Sequence, residues 1–182
     1  MSHPPDSARL RFRRITLADA AFLARLLSDP TYIAHVADRG VRTEADAVAY
    51  IERTILPAGR EPGLGPYLME ERGTGEVVGL CGLFQREGFA RPDLGYAVLS
   101  PFRGRGYARE AALAFRDHAR DALGLESLGG YTSPANASSI RILRRLGMTE
   151  VRTFTMAGYA GETVEYRITF REPAPQGVGP HH

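Results

Sequence analysis

Residues 94–109 read LGYAVLSPFRGRGYAR, and no other stretch of the chain restricts the fold as much. An apolar run ends at Ser100 and Pro101, which do not carry a strand further. Arg103, Gly104, Arg105, Gly106, Tyr107 and Ala108 follow, and after them a helical pattern begins. The segment therefore reads as strand, glycine turn, helix N-terminus. Glycine has no Cβ, so the backbone can turn tightly and come close to a ligand. The first N–H groups of a helix lack internal partners and lie at the positive end of its dipole. Such a turn binds phosphate, and Arg103 and Arg105 add positive charge beside it.

Two common phosphate-binding motifs are excluded. A Walker loop needs a lysine, and all 23 Lys-or-Arg residues of this chain are arginine. A dinucleotide fingerprint needs a third glycine and must follow a strand directly. Here Arg109 holds that glycine position, and residues 100–102 intervene. What remains is R-x-x-G-x-A, formed by Arg103, Gly106 and Ala108. A second block follows. Asn136-Ala137-Ser138-Ser139-Ile140 opens a helix that closes at Leu146-Gly147-Met148. Asn136 also suits a plain N-cap, and Gly147 a plain helix-ending glycine. Together and in this order, the two blocks resemble the acyl-CoA-binding blocks of the GNAT superfamily, the Gcn5-related N-acetyltransferases.

The rest of the pattern fits one α/β domain. Residues 10–14 alternate as a strand. Thr16 caps a helix over 17–28, which Asp29-Pro30 ends. Thr43 and Asp46 form a capping-box pattern for a helix to about residue 56, before Pro57. Residues 59–66 are loop. Strands over 67–71 and 77–86 form a hairpin about Gly73-Thr74-Gly75, and 93–99 is the next strand. Ala108, Ala112, Phe115, Ala119 and Ala122 lie at helical spacing as one buried stripe. A strand over 128–133 precedes the Asn136 helix, and strands over 151–156 and 163–170 close the chain. The order is βααβββαβαββ, a mixed central sheet flanked by helices. It matches the GNAT order, and the resemblance runs from about Leu10 to Phe170. The opening LRFRRITLADA, Asp29-Pro30 and N-x-x-S most resemble the RimJ/RimL-type branch. Residues 1–9 are expected as a flexible lead-in, 10–171 as the domain, and 172–182 as a flexible Pro/Gly-rich tail.

Composition narrows the function. The 182 residues are 43% hydrophobic, enough for one domain with a sizeable core. No apolar run reaches the ~20 residues that span a bilayer, and residues 1–9 lack a signal-peptide core. The single Cys81, within VVGLCGL, reads as a buried strand residue and points to a reducing cytoplasm. A net charge of +2 is no polyanion-binding excess, and no stacking aromatic platform is evident. Nucleic acid and membrane are therefore not expected partners. No metal is expected, and a homodimer is compatible with the sequence.

The resemblance implies an acetyl-CoA-dependent N-acetyltransferase acting on a primary amine, by direct attack on the thioester. The amine would belong to a protein N-terminus or a small molecule. It implies that Val98 and Leu99 hold the pantetheine arm and polarise the thioester carbonyl with their backbone groups; core packing suits both as well. Residues 103–108 would bind the pyrophosphate through backbone N–H groups, with Tyr107 on the cofactor or in the core. Asn136 would touch the pantetheine or a water, and Ser139 the acetyl-sulfur end. Of Arg141, Arg144 and Arg145, which share one helix, Arg145 is the better candidate for a nucleotide phosphate; a solvated face is the alternative. Asp93 stands where relatives carry a glutamate base, yet it is shorter and suits a surface strand end. His35 and Tyr159 fall in segments that line the acceptor site in relatives. The family's usual tyrosine acid is replaced by Leu143, which leaves a non-catalytic acyl-CoA-binding module as the competing reading.

Overall fold

The computed structural model describes residues 3–159 and 161–171. The expected tail, 172–182, lies outside the described residues. The centre is one seven-stranded sheet: β1 (Leu10–Arg14), β2 (Gly65–Glu71), β3 (Val77–Phe84), β4 (Asp93–Val98), β5 (Ser127–Thr132), β6 (Thr149–Thr155) and β7 (Glu162–Thr169). Its order is β1-β2-β3-β4-β5-β7-β6. Every pairing is antiparallel except that of β4 with β5. The expected mixed α/β architecture is the observed one.

Both faces of the sheet are covered, so its central strands are buried almost continuously. On one face the long helix α5 (Tyr107–Asp121) packs Ala111, Ala112, Phe115 and Ala119 against Phe12, Tyr67, Met69, Cys81 and Leu83. The Phe115 ring meets Phe12 and Tyr67 edge-on, at 5.0 and 5.6 Å between centroids. The expected alanine stripe holds through its middle. Ala108 and Ala122 are not part of the buried core, and Ala111 takes the place beside Ala112. Burial pushes the Cys81 thiol far up, in keeping with a core role.

The opposite face carries α1 (Ala20–Leu27), α2 (Pro30–His35) and α3 (Glu44–Tyr50). Leu23, Leu26, Leu27, Ala47 and Ile51 meet Leu68 and Leu80 there. The helix α3 passes through a wider π turn, Ile51–Ile55, into a short α4, Leu56–Ala58. Pro57 therefore sits inside α4 rather than just beyond the helix. Asp29-Pro30 ends α1 as expected but also starts α2. Asp29 accepts from the N–H groups of Thr31 and Tyr32, and Pro30 fills a first-turn position where its missing N–H costs nothing. Two further elements were also legible: the capping box of Thr43 with Asp46 and the Asn136 cap of α6 (Ala137–Arg145).

The lead-in makes specific contacts. Ser7 Oγ and the Arg9 backbone N–H both donate to Glu110 Oε1 at 2.7 Å, and Arg9 Nε donates to Glu110 Oε2 at 2.7 Å. His3 stacks edge-on to Tyr67. These contacts tie the chain before β1 to the first turn of α5 and to β2.

Candidate active site

The site starts from a parting of strands. β4 and β5 pair only at Asp93 with Gly129 and Leu94 with Gly130. Beyond that point β5 leans to β7, β4 stays on β3, and a wedge opens. In an antiparallel ladder successive residues turn their backbone groups to alternate sides. The Leu99 N–H donates to the Val78 carbonyl at 2.9 Å, so by register Gly95 and Ala97 face β3 as well. Tyr96 and Val98 then turn N–H and C=O away from β3 toward the wedge, where the Val98 carbonyl accepts from Arg103 Nε. Gly79 permits the close approach of β3 to β4 here: a Cβ there would lie 2.2 Å from the Ala97 carbonyl oxygen.

The wedge widens into a cavity of about 750 Å³. Among the expected site residues, His35, Asp93, Val98, Arg103, Gly104, Gly106, Tyr107, Ala108, Asn136, Ser139, Arg145 and Tyr159 line it. Leu99 and Arg105 do not. Leu99 is only 4% exposed, in the core under α1–α3, and its N–H is spent on β3. Arg105 lies over the Phe102 ring at 5.4 Å. The backbone role expected of Val98 and Leu99 thus falls geometrically to Val98, with Tyr96 beside it.

At one end stands the glycine turn. Gly104 and Gly106 adopt φ of +75° and +83°, the left-handed region where an L side chain is strained. Gly106 is the N-cap of α5 and no side chain caps it, so the first N–H groups of a 15-residue helix are left for a ligand. The turn is braced from outside. Arg9 Nη1 donates to the Arg105 carbonyl at 2.9 Å, and the Arg9 guanidinium lies 4.7 Å from the Tyr107 ring centroid. Arg103 is not a free cation for phosphate. Its Nε donates to the Val98 carbonyl at 2.9 Å, and its Nη2 to Asp29 Oδ1 at 3.1 Å. Ser100 Oγ also donates to Asp29. Although burial opposes it, these bonds and the Thr31 N–H hold the Asp29 carboxyl down at about 2. Arg103 therefore ties β4, the turn and α2 together. Arg109, Arg141 and Arg145 line the cavity, and none has a carboxylate within salt-bridge distance among the described residues.

Tyr96 is the residue that the sequence reading missed. Its hydroxyl lies 3.0 Å from Ser139 Oγ and 3.3 Å from the Ser139 carbonyl. The Ser139 N–H donates in turn to Asn136 Oδ1 at 3.2 Å, so Asn136 both caps α6 and holds Ser139 on the cavity wall. Burial pushes the Tyr96 hydroxyl far above its ordinary range and keeps it protonated. Leu143 is buried at 1% exposure against Gly130. The only sequence signal for Tyr96 was its alternation with Leu94 and Val98 along β4.

At the far end are α2, the 85–92 connection and the β6–β7 turn. Asp93 is no surface carboxylate: it is 1% exposed. Both its oxygens accept from Arg86, from Nε at 2.7 Å and Nη2 at 3.0 Å. Burial pushes the Asp93 carboxyl up, and Arg86 opposes that shift. His35 ends α2, half-buried. The Arg86 and Arg39 guanidinium carbons lie 5.6 and 5.7 Å from the Tyr159 ring centroid. Among the described residues no group of three or more His, Cys, Asp or Glu side chains gathers as a metal site, and no helix is long and apolar enough to cross a membrane.

Known proteins share this fold. The family model for an acetyltransferase (GNAT) domain matches residues 9–149. YkkB of Bacillus subtilis is 30% identical over 151 residues, covering 80% of this chain and 84% of that protein. The crystal structure of an acetyltransferase from Agrobacterium tumefaciens is similar with a TM-score of 0.72 and 27% identity, over 90% of this chain and 92% of that one. Mycobacterium smegmatis RimJ, solved with CoA-disulfide, shares the fold with a TM-score of 0.75 at 21% identity, over 92% of this chain and 88% of that one. The chain belongs to the GNAT family, with RimJ/RimL-type enzymes among its structural relatives, and it is an acetyltransferase.

Proposed function

We propose that the protein transfers an acetyl group from acetyl-CoA to a primary amine, of a protein N-terminus or a small molecule, by direct attack on the thioester. One observation carries this reading: a single cavity at the parting of β4 and β5 runs from the uncapped N-terminus of α5 to a polar end that includes Arg86, Asp93 and Tyr159. The first end suits a pyrophosphate, with Arg109, Arg141 and Arg145 near for a further phosphate. The wedge suits the pantetheine arm, which can pair with the outward backbone groups of Tyr96 and Val98 as an added strand would.

In this reading the Val98 N–H donates to the thioester oxygen as negative charge develops there. The amine nitrogen forms a bond to the acyl carbon, the C–S bond breaks, and the sulfur leaves as thiolate. Ser139 Oγ donates a hydrogen bond to that sulfur. Tyr96 donates to Ser139 Oγ, which turns the serine hydrogen toward the cavity. A thiol of pKa ~8.5 leaves readily without a strong acid. The amine, with pKa ~10.4 as an alkylamine, gives up its proton before attack, and the nitrogen's second proton passes to solvent. Asp93, expected as a base, is read here as the counter-charge of Arg86, since both oxygens are engaged by that guanidinium. The family resemblance and the cavity lining support cofactor roles for Gly104, Gly106, Ala108 and Asn136, and acceptor roles for His35 and Tyr159.

The test is calorimetric titration with acetyl-CoA, followed by thiol release with a panel of amines. Binding together with amine-dependent thiol release is the expected result. Binding without release from any amine would identify a non-catalytic acyl-CoA-binding module instead.

A further inference from the structure

Against Tyr159, which lines the acceptor end of the cavity, lies an arginine that is not itself in the cavity lining and has no counter-ion among the described residues. Arg39 is half-buried, and its Nε is buried with no hydrogen-bond partner among the described residues. No carboxylate lies within salt-bridge distance of it there. Its sequence neighbour Asp38 is engaged by Arg42, at 2.6 Å, and by the Gly40 N–H. Around the Arg39 guanidinium stand Tyr32, Tyr50 and Tyr159. Burial pushes the Tyr32 hydroxyl up to about 12 and raises that of Tyr50, so neither supplies negative charge near neutral pH. Arg39 has a hydrogen bond with the Tyr32 hydroxyl and the Tyr159 ring beside it, but a cation withdrawn from water without a counter-charge is costly. Its retention beside a cavity calls for an anion from outside.

The surroundings agree. Arg39 and Arg86 approach the same Tyr159 ring, and Tyr32, Arg86 and Tyr159 all line the cavity. Asp93 is the only acidic residue in that lining, and Arg86 already holds it. The nearest other buried carboxylate, Glu165, is held by Arg152 and Arg167, each at 2.7 Å. Among the described lining residues, a polyamine would find no carboxylate that lacks a guanidinium partner.

On the reading that this site acetylates a primary amine, we infer that the acceptor also carries a carboxylate, which Arg39 binds at the Tyr159 rim with Arg86 adding to the field. A planar guanidinium suits a carboxylate by paired hydrogen bonds. The carboxylate belongs either to a free amino acid or to an acidic side chain near a peptide N-terminus.

The experiment measures acetylation rates and, in parallel, calorimetric binding. Three peptides share one N-terminal residue, followed by two aspartates, two glutamines or two lysines. A free α-amino acid, its α-amide and spermidine complete the panel. The carboxylate-bearing acceptors should exceed the lysine peptide and spermidine in kcat/KM by about tenfold or more, the scale of one desolvated charge pair. The free acid against its amide, and the aspartate peptide against the glutamine peptide, identify the source of the carboxylate. Arg39→Gln should collapse the preference, and Arg39→Lys should keep most of it. Equal or better use of spermidine or the lysine peptide, or a preference unchanged in Arg39→Gln, overturns the inference. Charge-selective binding that Arg39→Gln abolishes upholds the anion site even if no thiol is released, and that result would count against acetyl transfer alone. Binding without charge selectivity overturns the anion site.

Discussion

Replacing Asp93 by Asn removes the counter-charge of Arg86 and leaves the shape of the site nearly unchanged. Asp93 is 1% exposed, and the Arg86 side chain is 27% exposed. Breaking a buried pair from one side costs about 3–5 kcal/mol, because the surviving charge stays desolvated. Arg86 keeps some access to water, so Asp93→Asn belongs near the lower bound, about 3 kcal/mol. For a chain of this size each kcal/mol moves Tm by roughly 2–4 °C, so the melt should fall by about 6–12 °C. Arg86→Met leaves the carboxylate buried alone and should cost at least as much. In that variant the folded-state pKa of Asp93 lies above its unfolded value, so folding binds a proton. Its stability is then fully present below the unfolded pKa and is lost as pH rises through the folded one. The double variant, Asp93→Asn with Arg86→Met, should recover most of the loss, since no uncompensated charge remains. Denaturant titration of the four proteins gives the coupling directly. Additive losses would refute the pairing argument. A different result would restore Asp93 as the base: a loss of about 10²-fold or more in kcat/KM at pH 7, shrinking at high pH, in a protein of unchanged stability.

Three further outcomes are expected. Gly106→Val places a branched side chain at φ +83°, with a Cβ 3.3 Å from Arg9 Nη2, where a pyrophosphate must approach the backbone; calorimetry should show acetyl-CoA affinity falling at least about tenfold, or ~1.4 kcal/mol, and full affinity in a folded variant would remove the turn from the binding site. Ser139→Ala and Tyr96→Phe should each lower kcat more than they weaken acetyl-CoA binding, and wild-type kcat in both would leave the pair as packing. Because burial holds the Tyr96 hydroxyl protonated, kcat/KM should climb through the alkaline range as the amine loses its proton, without a falling enzymic limb; a bell-shaped profile would mean that another acid acts.

The elements were legible where local chemistry governed them. The helix caps at Thr43 and Asn136 and the glycines at 104 and 106 each satisfy a backbone need that a short window reveals. The middle of the buried stripe of α5, Ala112, Phe115 and Ala119, was readable from its period, but its ends at Ala108 and Ala122 were not. Asp29-Pro30 shows the limit of such reading. The same pair that stops one helix caps and starts the next, because proline is excluded from a helix interior but welcome in its first turn. The sequence held both meanings, and in the structure α2 forms with Asp29 as its cap and Tyr32 buried in the core with α1 and α3.

The site was legible as far as it follows the backbone, and obscure where it rests on charges meeting across distant segments. The turn at 103–108 could be named because glycine and helix terminus are adjacent in sequence. The fates of its arginines could not, since Arg103 turns to Asp29, 74 residues away, while Arg9 reaches the turn from 96 residues away. Asp93 read as a base or, more readily, as a surface strand-end group, whereas in the structure Arg86 engages both its oxygens. Tyr96 looked like one more apolar-face residue, because its hydroxyl partner sits 43 residues on, in another element. An arginine-only basic complement deepens the difficulty, since structural and ligand-facing cations look alike in the sequence. What separates them is the partner: Arg103 and Arg86 have carboxylates, whereas Arg39, Arg109, Arg141 and Arg145 have none within salt-bridge distance among the described residues. The three at the α5–α6 end face the place proposed for phosphates. Arg39, beside Tyr159 at the opposite end, is by the same electrostatic logic the ground for the inference that the second substrate brings an anion of its own.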